Sequence, residues 1–586
     1  MSTTLYGQYR VRDVTFRGVR VIKNSTLKKA MVLQDHSILD RLPFGPAPQR
    51  YSEHLLQQDI ARLRRLYQSS GFLKTTIEPR LSRDEAGNWI DITFIIQEGP
   101  PVRVDQVHFK LPDSADSTLY TRLNQKKSGL NLRRGDRFQD ELLKADRNTL
   151  ITWLNNHSYA YASIQPEFDL YPDSARVNII YNTVPGPSCQ FSRIRIDGNE
   201  HIPADIIRNQ IVLEPGQTYS EKQLQKSQRR IYNLGVFQYV TVKAPLPDTL
   251  EHRIKVDVSV KESDRMSTKL GFGYGREDQF RAFARLEKTG LFFPTSQSTF
   301  FVKRSALTPY QADLRWHRPA VLHPQGSLTL SSFLRREKEP AYTAQRYGGR
   351  ASYHQIWNQH LTTAVNHTLE QVLLSTSQAT REITLDTLDF YNKSITRLHA
   401  VYDDSRPALS PSTGMLAGVN LDWSGFKSTY HYLKLDMELR RYFSLTPTLV
   451  TAVKLKYGFM QPLQDDQATP IEERFFAGGS YSVRGWARAD LGPKNRDGKP
   501  IGGKSRLETS LELRFPLYKR LSGVLFYDVG NVWQKTFFIH IDNPGMAAGA
   551  GLRLRTPIGP VRIDAGAPLN HGKTGVQIHF SVGHSF

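Results

Sequence analysis

Strand-length runs of alternating apolar and polar side chains succeed one another beyond about residue 265, the last of them the clearest. In the stretch from Gly575 to Phe586 one face reads Val576, Ile578, Phe580, Val582, His584 and Phe586. The other reads Gly575, Gln577, His579, Ser581, Gly583 and Ser585. Leu552 and Leu554 alternate with Arg553 and Arg555, and Val561, Ile563 and Ala565 with Arg562 and Asp564. A period of two is that of a β-strand with one dry and one wet face. Gly, Pro, Asn and Asp separate the runs, as turns require. A membrane-crossing strand needs ~9–11 residues, so residues 265–586 have room for about sixteen strands with their connections. A soluble sandwich would alternate too, but it would need a second sheet to cover so apolar a stripe. The pattern therefore predicts a 16-stranded antiparallel transmembrane β-barrel whose charged face lines a wet lumen.

The first 264 residues carry a different period. Three alternating strands open three segments: Val14–Gly18, Val107–Lys110 and Ile194–Gly198, with Phe16, Phe109 and Ile196 spaced by 93 and 87 residues. A helical face follows each strand. Leu56, Ile60, Leu63 and Tyr67 recur at helical spacing, and Ser220 with Gln223 forms a capping-box pattern ahead of Leu224, Ile231 and Leu234. Each helix runs into a turn and two more strands, of which Ile90–Ile96, Val177–Tyr181 and Ile254–Val260 are the last. Gly99-Pro100 and Gly186-Pro187 punctuate the joints in phase with the strands. The expected order is three α+β repeats (strand-helix-helix-strand-strand) at 1–100, 101–187 and 188–264, then the barrel at 265–586.

Composition sharpens this picture. The mean hydropathy is −0.47, and no run approaches the ~18 apolar residues of a membrane helix. Net charge is +22, from 78 basic and 56 acidic groups. Residues 1–264 hold 37 basic and 30 acidic groups, and the remaining 322 hold 41 and 26. The excess thus lies mainly in the predicted barrel, where a charged lumen accounts for it and no nucleic-acid partner is expected. Cys189 is the only cysteine, so no intramolecular disulfide is available. Met1 to Arg12 contains no apolar run of secretory type, and no signal peptide is read in this numbering.

One motif is specific. Phe475-Phe476-Ala477-Gly478-Gly479-Ser480-Tyr481-Ser482-Val483-Arg484-Gly485-Trp486 resembles the Val-Arg-Gly-aromatic loop of the outer-membrane assembly and secretion superfamily that includes BamA, TamA and two-partner-secretion pores. Gly502-Gly503, Leu511–Pro516, Phe526–Trp533, Gly549–Leu554, Gly559–Arg562 and the terminal Phe586 are similar to that family's last strands. The three repeats resemble its POTRA modules, and three of them resemble the TamA type best. The resemblance implies that Arg484, with Val483, Gly485, Trp486, Gly478 and Gly479 around it, anchors a loop inside the lumen. Asp528 and Glu512 are its expected partners. It also implies a weak lateral seam between the first strand (Leu270, Gly271, Phe272, Gly273, Tyr274, Gly275) and the last (Phe580, Val582, Phe586). Alternate glycines weaken a strand, and an edge so exposed can template an incoming strand. Implied partners are β-barrel clients, outer-membrane lipid and, through the first module, a TamB-like protein anchored in the inner membrane. The implied place is the bacterial outer membrane, with the modules in the periplasm.

Other chemistry is not expected. Gly271-x-Gly273-x-Gly275 lacks the Lys-Ser/Thr and helix of a phosphate loop, and there is neither a Gly-x-Ser-x-Gly elbow nor a His-Glu-x-x-His zinc motif. Asp403-Asp404 and Asp465-Asp466 read as loop acids. The sequence predicts no enzyme, no cofactor and no metal. Besides the TamA-type factor, two further readings stand: a two-partner-secretion pore exporting a single protein, and a soluble β-rich binding protein.

Overall fold

The computed structural model describes residues 9–35, 49–86, 88–113, 116–171, 173, 175–275, 277–377, 380–381, 389–446, 448–464, 469–518, 520–540, 544–556, 561–570 and 575–582. The first module contains β1 (Arg10–Arg17), α1 (Asn24–Ala30), α2 (Glu53–Ser69), β2 (Thr76–Asp84) and β3 (Trp89–Gln97). The second contains β4 (Arg103–Lys110), α3 (Ser117–Lys126), α4 (Asp140–Asn155), β5 (Ser163–Tyr171) and β6 (Arg176–Val184). The third contains β7 (Gln190–Asp197), α5 (Ala204–Arg208), α6 (Glu221–Tyr232), β8 (Phe237–Lys243) and β9 (Arg253–Glu262). In every module the last strand lies in the middle of a three-stranded sheet, in the orders β1-β3-β2, β4-β6-β5 and β7-β9-β8.

The central strands are the most apolar, which is why they take the middle. Ile90, Ile92, Phe94 and Ile96 of β3 are all buried against Leu56, Ile60, Leu63 and Tyr67 of α2. Each such side chain contributes about 1.5–3 kcal/mol when taken out of water. Buried acids then tie the loops to the helices. Asp59 of α2 accepts from the backbone N–H groups of Val32 and Leu33, and Asp146 of α4 from those of Asn131 and Leu132. Ser227 of α6 does the same for Val212. Gly18 and Gly198 leave the first strands with φ of +84° and +87°, and a Cβ at either would meet a strand carbonyl at 2.1 Å. Only glycine fits there.

One local expectation differs. Ser220 does not cap α6 through a capping box: its hydroxyl donates to Asn156 Oδ1, which also accepts from Lys222 N. The end of the preceding module supplies the cap, so a tertiary contact replaces the local one.

The barrel strands are β10 (Met266–Gly275), β11 (Gln279–Thr289), β12 (Gln297–Arg304), β13 (Tyr310–Pro319), β14 (Gly326–Lys338), β15 (Tyr342–Ile356), β16 (Leu361–Thr376) and β17 (Phe390–Asp403). The second half is β18 (Gly414–Ser424), β19 (Tyr432–Ser444), β20 (Val450–Pro462), β21 (Ser505–Tyr518), β22 (Leu521–Trp533), β23 (Gly545–Leu554), β24 (Val561–Pro568) and β25 (Gln577–Val582). They form one antiparallel meander in chain order. The alternation maps onto two faces. In β22, Val524, Phe526 and Asp528 are buried inside, while Leu525 and Tyr527 are 50% and 40% exposed outside. No described helix is long and apolar enough to cross a membrane.

A pH test follows for the third module. Burial disfavours the charge on Glu262, yet N–H donors from Ile202, His201 and Glu200 outweigh it and hold the carboxyl below its usual range. A depressed folded-state pKa contributes stability that is present above the unfolded value of ~4.3 and is lost as pH falls through the folded value. At pH 7, Glu262→Gln should destabilise the module by about 1–3 kcal/mol. The gap from the parent should close below about pH 4, read by hydrogen exchange of peptides from 190–263 corrected for intrinsic rates. A gap independent of pH would remove Glu262 from this role.

Candidate functional site

The connection from β20 to β21 turns back into the lumen. Phe475 and Gly503 exchange backbone hydrogen bonds, and Ala477 bridges Leu491, so the loop descends and returns as a narrow hairpin. Gly478 and Gly479 hold φ of +100° and +108°, a conformation that glycine adopts at low cost. Val483 and Trp486 are buried in a cluster with Phe475, Leu491, Val532 and Ala547. Gly485 lies so close to the wall that a Cβ would stand 2.8 Å from Ala547 Cβ and from Pro568 N. A larger residue there would push the loop off the wall.

Arg484 is the tip of this device, with 2% of its surface exposed. Its Nε donates to Asp528 Oδ2 at 2.8 Å and its Nη2 to Asp528 Oδ1 at 2.8 Å, a bidentate fork. Nη1 donates to Glu512 Oε1 at 2.6 Å, and Nη2 also to Ser510 Oγ at 3.1 Å. Its backbone N donates to Asp528 Oδ2, and the guanidinium carbon sits 3.5 Å from the Phe526 ring centroid. Asp564 lies 3.6 Å from Nη1. Arg514 and Arg553 complete the charge balance around Glu512 and Asp564. A planar fork suits this wall, because β21 and β22 place Glu512 and Asp528 side by side on their inner faces.

A second anchor grips another arc of strands, and sequence reasoning missed it. Glu473 accepts from Lys393 Nζ at 2.7 Å and lies 3.4 Å from both Arg346 Nη1 and Lys434 Nζ. Lys393 also reaches Glu370 at 2.6 Å. Glu472 accepts from the Tyr391 hydroxyl. These partners come from β15, β16, β17 and β19, none adjacent in sequence to the loop. The only legible signal was an acidic pair just ahead of the Phe475-Phe476 motif. A third contact fastens the outer end: Arg488 donates to Glu339 at 2.9 and 2.8 Å and to Glu277 at 3.3 Å.

The seam residues are placed as follows. Leu270, Phe272 and Tyr274 of β10 and Phe580 of β25 face outward and are exposed, while Gly271 and Gly273 face inward. A Cβ on Gly271 would strike the Phe283 ring at 2.1 Å, and one on Gly273 the Arg281 side chain at 2.7 Å. These glycines therefore make room for side chains of β11, while Gly275 stands in open space. Among the described residues no ladder joins β10 to β25, which stand at the two ends of the sheet. The loop spans that gap. His579 Nε2 of β25 is 3.0 Å from Arg484 O, and Glu277, just past β10, accepts from Ser480 N at 3.3 Å. Phe586 and the Val582 side chain lie outside the described residues, as do Gly559-Pro560 and Asp465-Asp466.

Comparison with known proteins gives these residues a context. A family model described as the Omp85 superfamily domain matches residues 297–586. A second, described as POTRA, surface antigen variable number repeat, matches residues 9–99 and 190–263. The outer membrane protein assembly factor BamA of Nitratidesulfovibrio vulgaris is 21% identical over 596 residues, covering 98% of this chain and 73% of its own length. BamA of Neisseria meningitidis serogroup B is 23% identical over 585 residues, covering 92% and 70%. The crystal structure of BamA from Haemophilus ducreyi lacking POTRA domains 1–3 shares the fold, with a TM-score of 0.60 at 18% identity, 82% of this chain and 99% of that one being covered.

Removing one partner from a buried ion cluster strands the others. Arg484→Ala should cost about 3–5 kcal/mol of barrel stability, seen as a lower urea midpoint for loss of heat-modifiable gel mobility. Arg484→Lys, a point charge without the fork, should fall between. A midpoint unchanged in the alanine variant would show that the loop is not held by this cluster.

Proposed function

This chain belongs to the Omp85 superfamily of outer-membrane proteins, and from that premise we propose that it inserts or secretes β-barrel clients across a lateral seam between β10 and β25. The barrel sits in the outer membrane, with the POTRA modules in the periplasm. Support for the seam comes from one observation above all: two strand edges without a mutual ladder among the described residues, tied instead by side chains of the lumen loop. Unpaired N–H and C=O groups along such an edge match those of an arriving strand. No catalytic chemistry enters this reading. A client strand gains its free energy by burying apolar surface in lipid and closing its own backbone hydrogen bonds, so neither nucleotide nor cofactor is required.

The finer assignment is TamA type. Three modules in this chain favour it by resemblance, although the relatives named above are BamA proteins. In that reading a TamB-like partner docks on the first module, whose edge strands β1 and β2 offer backbone groups for strand addition. Deleting residues 9–99 should abolish co-purification of such a partner, and retained co-purification would place it elsewhere.

Two measurements test the main proposal. Cysteines at Tyr274 and Phe580, in a Cys189→Ser background, should stop client insertion when bridged by a short thiol cross-linker and restore it on cleavage. Full activity in the bridged state would reject lateral opening. Depletion of the protein should lower many outer-membrane barrels together. Loss of one exported protein alone would favour a dedicated secretion pore.

A further inference from the structure

The lumen loop and the seam leave the periplasmic rim of the barrel unexplained. Five successive turns on that side, joining β11–β12, β13–β14, β15–β16, β17–β18 and β19–β20, each raise a large apolar side chain into solvent. These are Phe292, Leu322, Trp357, Leu409 and Leu445, at 81, 91, 61, 62 and 62% exposure. Single exposed apolar residues are ordinary on a protein surface. One at each of five consecutive turns is a pattern. The next two turns differ, their described residues being Arg520, Arg555 and Thr556.

Local contacts hold three of these turns while their apolar tips stay exposed. Phe293 packs on Trp316 at 6.0 Å with the Arg318 guanidinium 3.8 Å above its ring, and Ser296 Oγ donates to Phe293 O. That fixes the turn and leaves Phe292 outside. Around Leu322, Val321 N donates to Gly326 O, His323 N to Val321 O and Gly326 N to His323 O. Phe292 and Leu322 hold φ of +73° and +61°, a region that bulky side chains rarely occupy and that glycine would fill without strain. Both side chains nevertheless stand largely in solvent, Phe292 at the mouth of a cavity that it shares with His201, Ile202 and Glu262 of the third module. Trp357 donates its indole N–H to Thr363 Oγ1 at 2.8 Å, which leaves its ring face without an unmet polar group.

The turns continue an apolar wall. Leu314, Leu330, Val365, Leu398 and Leu439 of the same strands are exposed on the outer face. Where such a band ends, the tips meet the boundary between lipid tails and headgroups, a zone that suits Trp, Phe and Leu. We propose that these five tips are wedged into the inner leaflet of the outer membrane and anchor this arc of the rim among phospholipids. The inference rests on the outer-membrane reading above and adds the contact that fixes the depth of the barrel.

Spin labels test it. In a Cys189→Ser background, cysteines at 292, 322, 357 and 445 carry a nitroxide, and the full chain is reconstituted into phosphatidylethanolamine–phosphatidylglycerol vesicles. Labels at Leu330 on the outer wall and at Lys226 on α6 mark lipid and water. The ratio of oxygen to nickel-chelate accessibility at the four tips should exceed that at Lys226 roughly threefold or more. Water-like values at the tips with a lipid-like value at Leu330 overturn the wedge and leave the membrane barrel standing. Shielding from both reagents means that protein covers the tips, which also overturns it. A water-like value at Leu330 itself would instead reject the membrane reading.

Discussion

A guanidinium deep in a protein must meet its charge and its hydrogen bonds there, because the loss of water costs several kcal/mol per ion. Arg484 meets that demand with Asp528, Glu512 and Ser510 from neighbouring strands and with the face of Phe526. The rest of the barrel interior is arranged around this requirement. β21 and β22 present their acids inward, β23 and β24 bring Arg553, Arg562 and Asp564, and Gly485 and Gly566 remove the side chains that would keep the loop from the wall. On the arc from β15 to β19 the signs are reversed, with loop acids among wall cations.

The two anchors make the loop a crossbeam. One foot stands on β15–β19 and the other on β21–β24, and Glu277 and His579 bring both ends of the sheet to the same segment. A backbone ladder holds strands by a regular row of hydrogen bonds that yields only by unzipping. Side-chain contacts through a loop are fewer and separate, so they can be exchanged one at a time. That difference gives the seam its physical interest. The exposed edges of β10 and β25 are a hazard in most sheets, and here they are the surface on which the proposed function depends.

Much of the fold was legible because its signals are local. The period of two beyond residue 265, the helical faces of α2 and α6, and the Gly-Pro joints depend on near neighbours only. Arg484, Glu512 and Asp528 could be paired through a motif whose length carries its own specificity. The second anchor was not legible. Glu472 and Glu473 lie far in sequence from Lys393, Arg346 and Lys434, and no local pattern links them until the loop folds inward and joins them. The Ser220–Gln223 capping pattern misled for the same reason, since Asn156 of another module reached the helix end first.

By itself, then, the sequence determined the element types, the order of three modules and a sixteen-stranded meander, and which side of the last strands is oily. Those properties follow from the geometry of one chain segment and its contact with solvent. Only the tertiary structure decided which lumen charges pair, where the loop stands, why Gly271 must be bare beneath Phe283, and that five rim turns share one habit. Such facts depend on the register between strands and on close approach across the barrel, distances that no local pattern encodes.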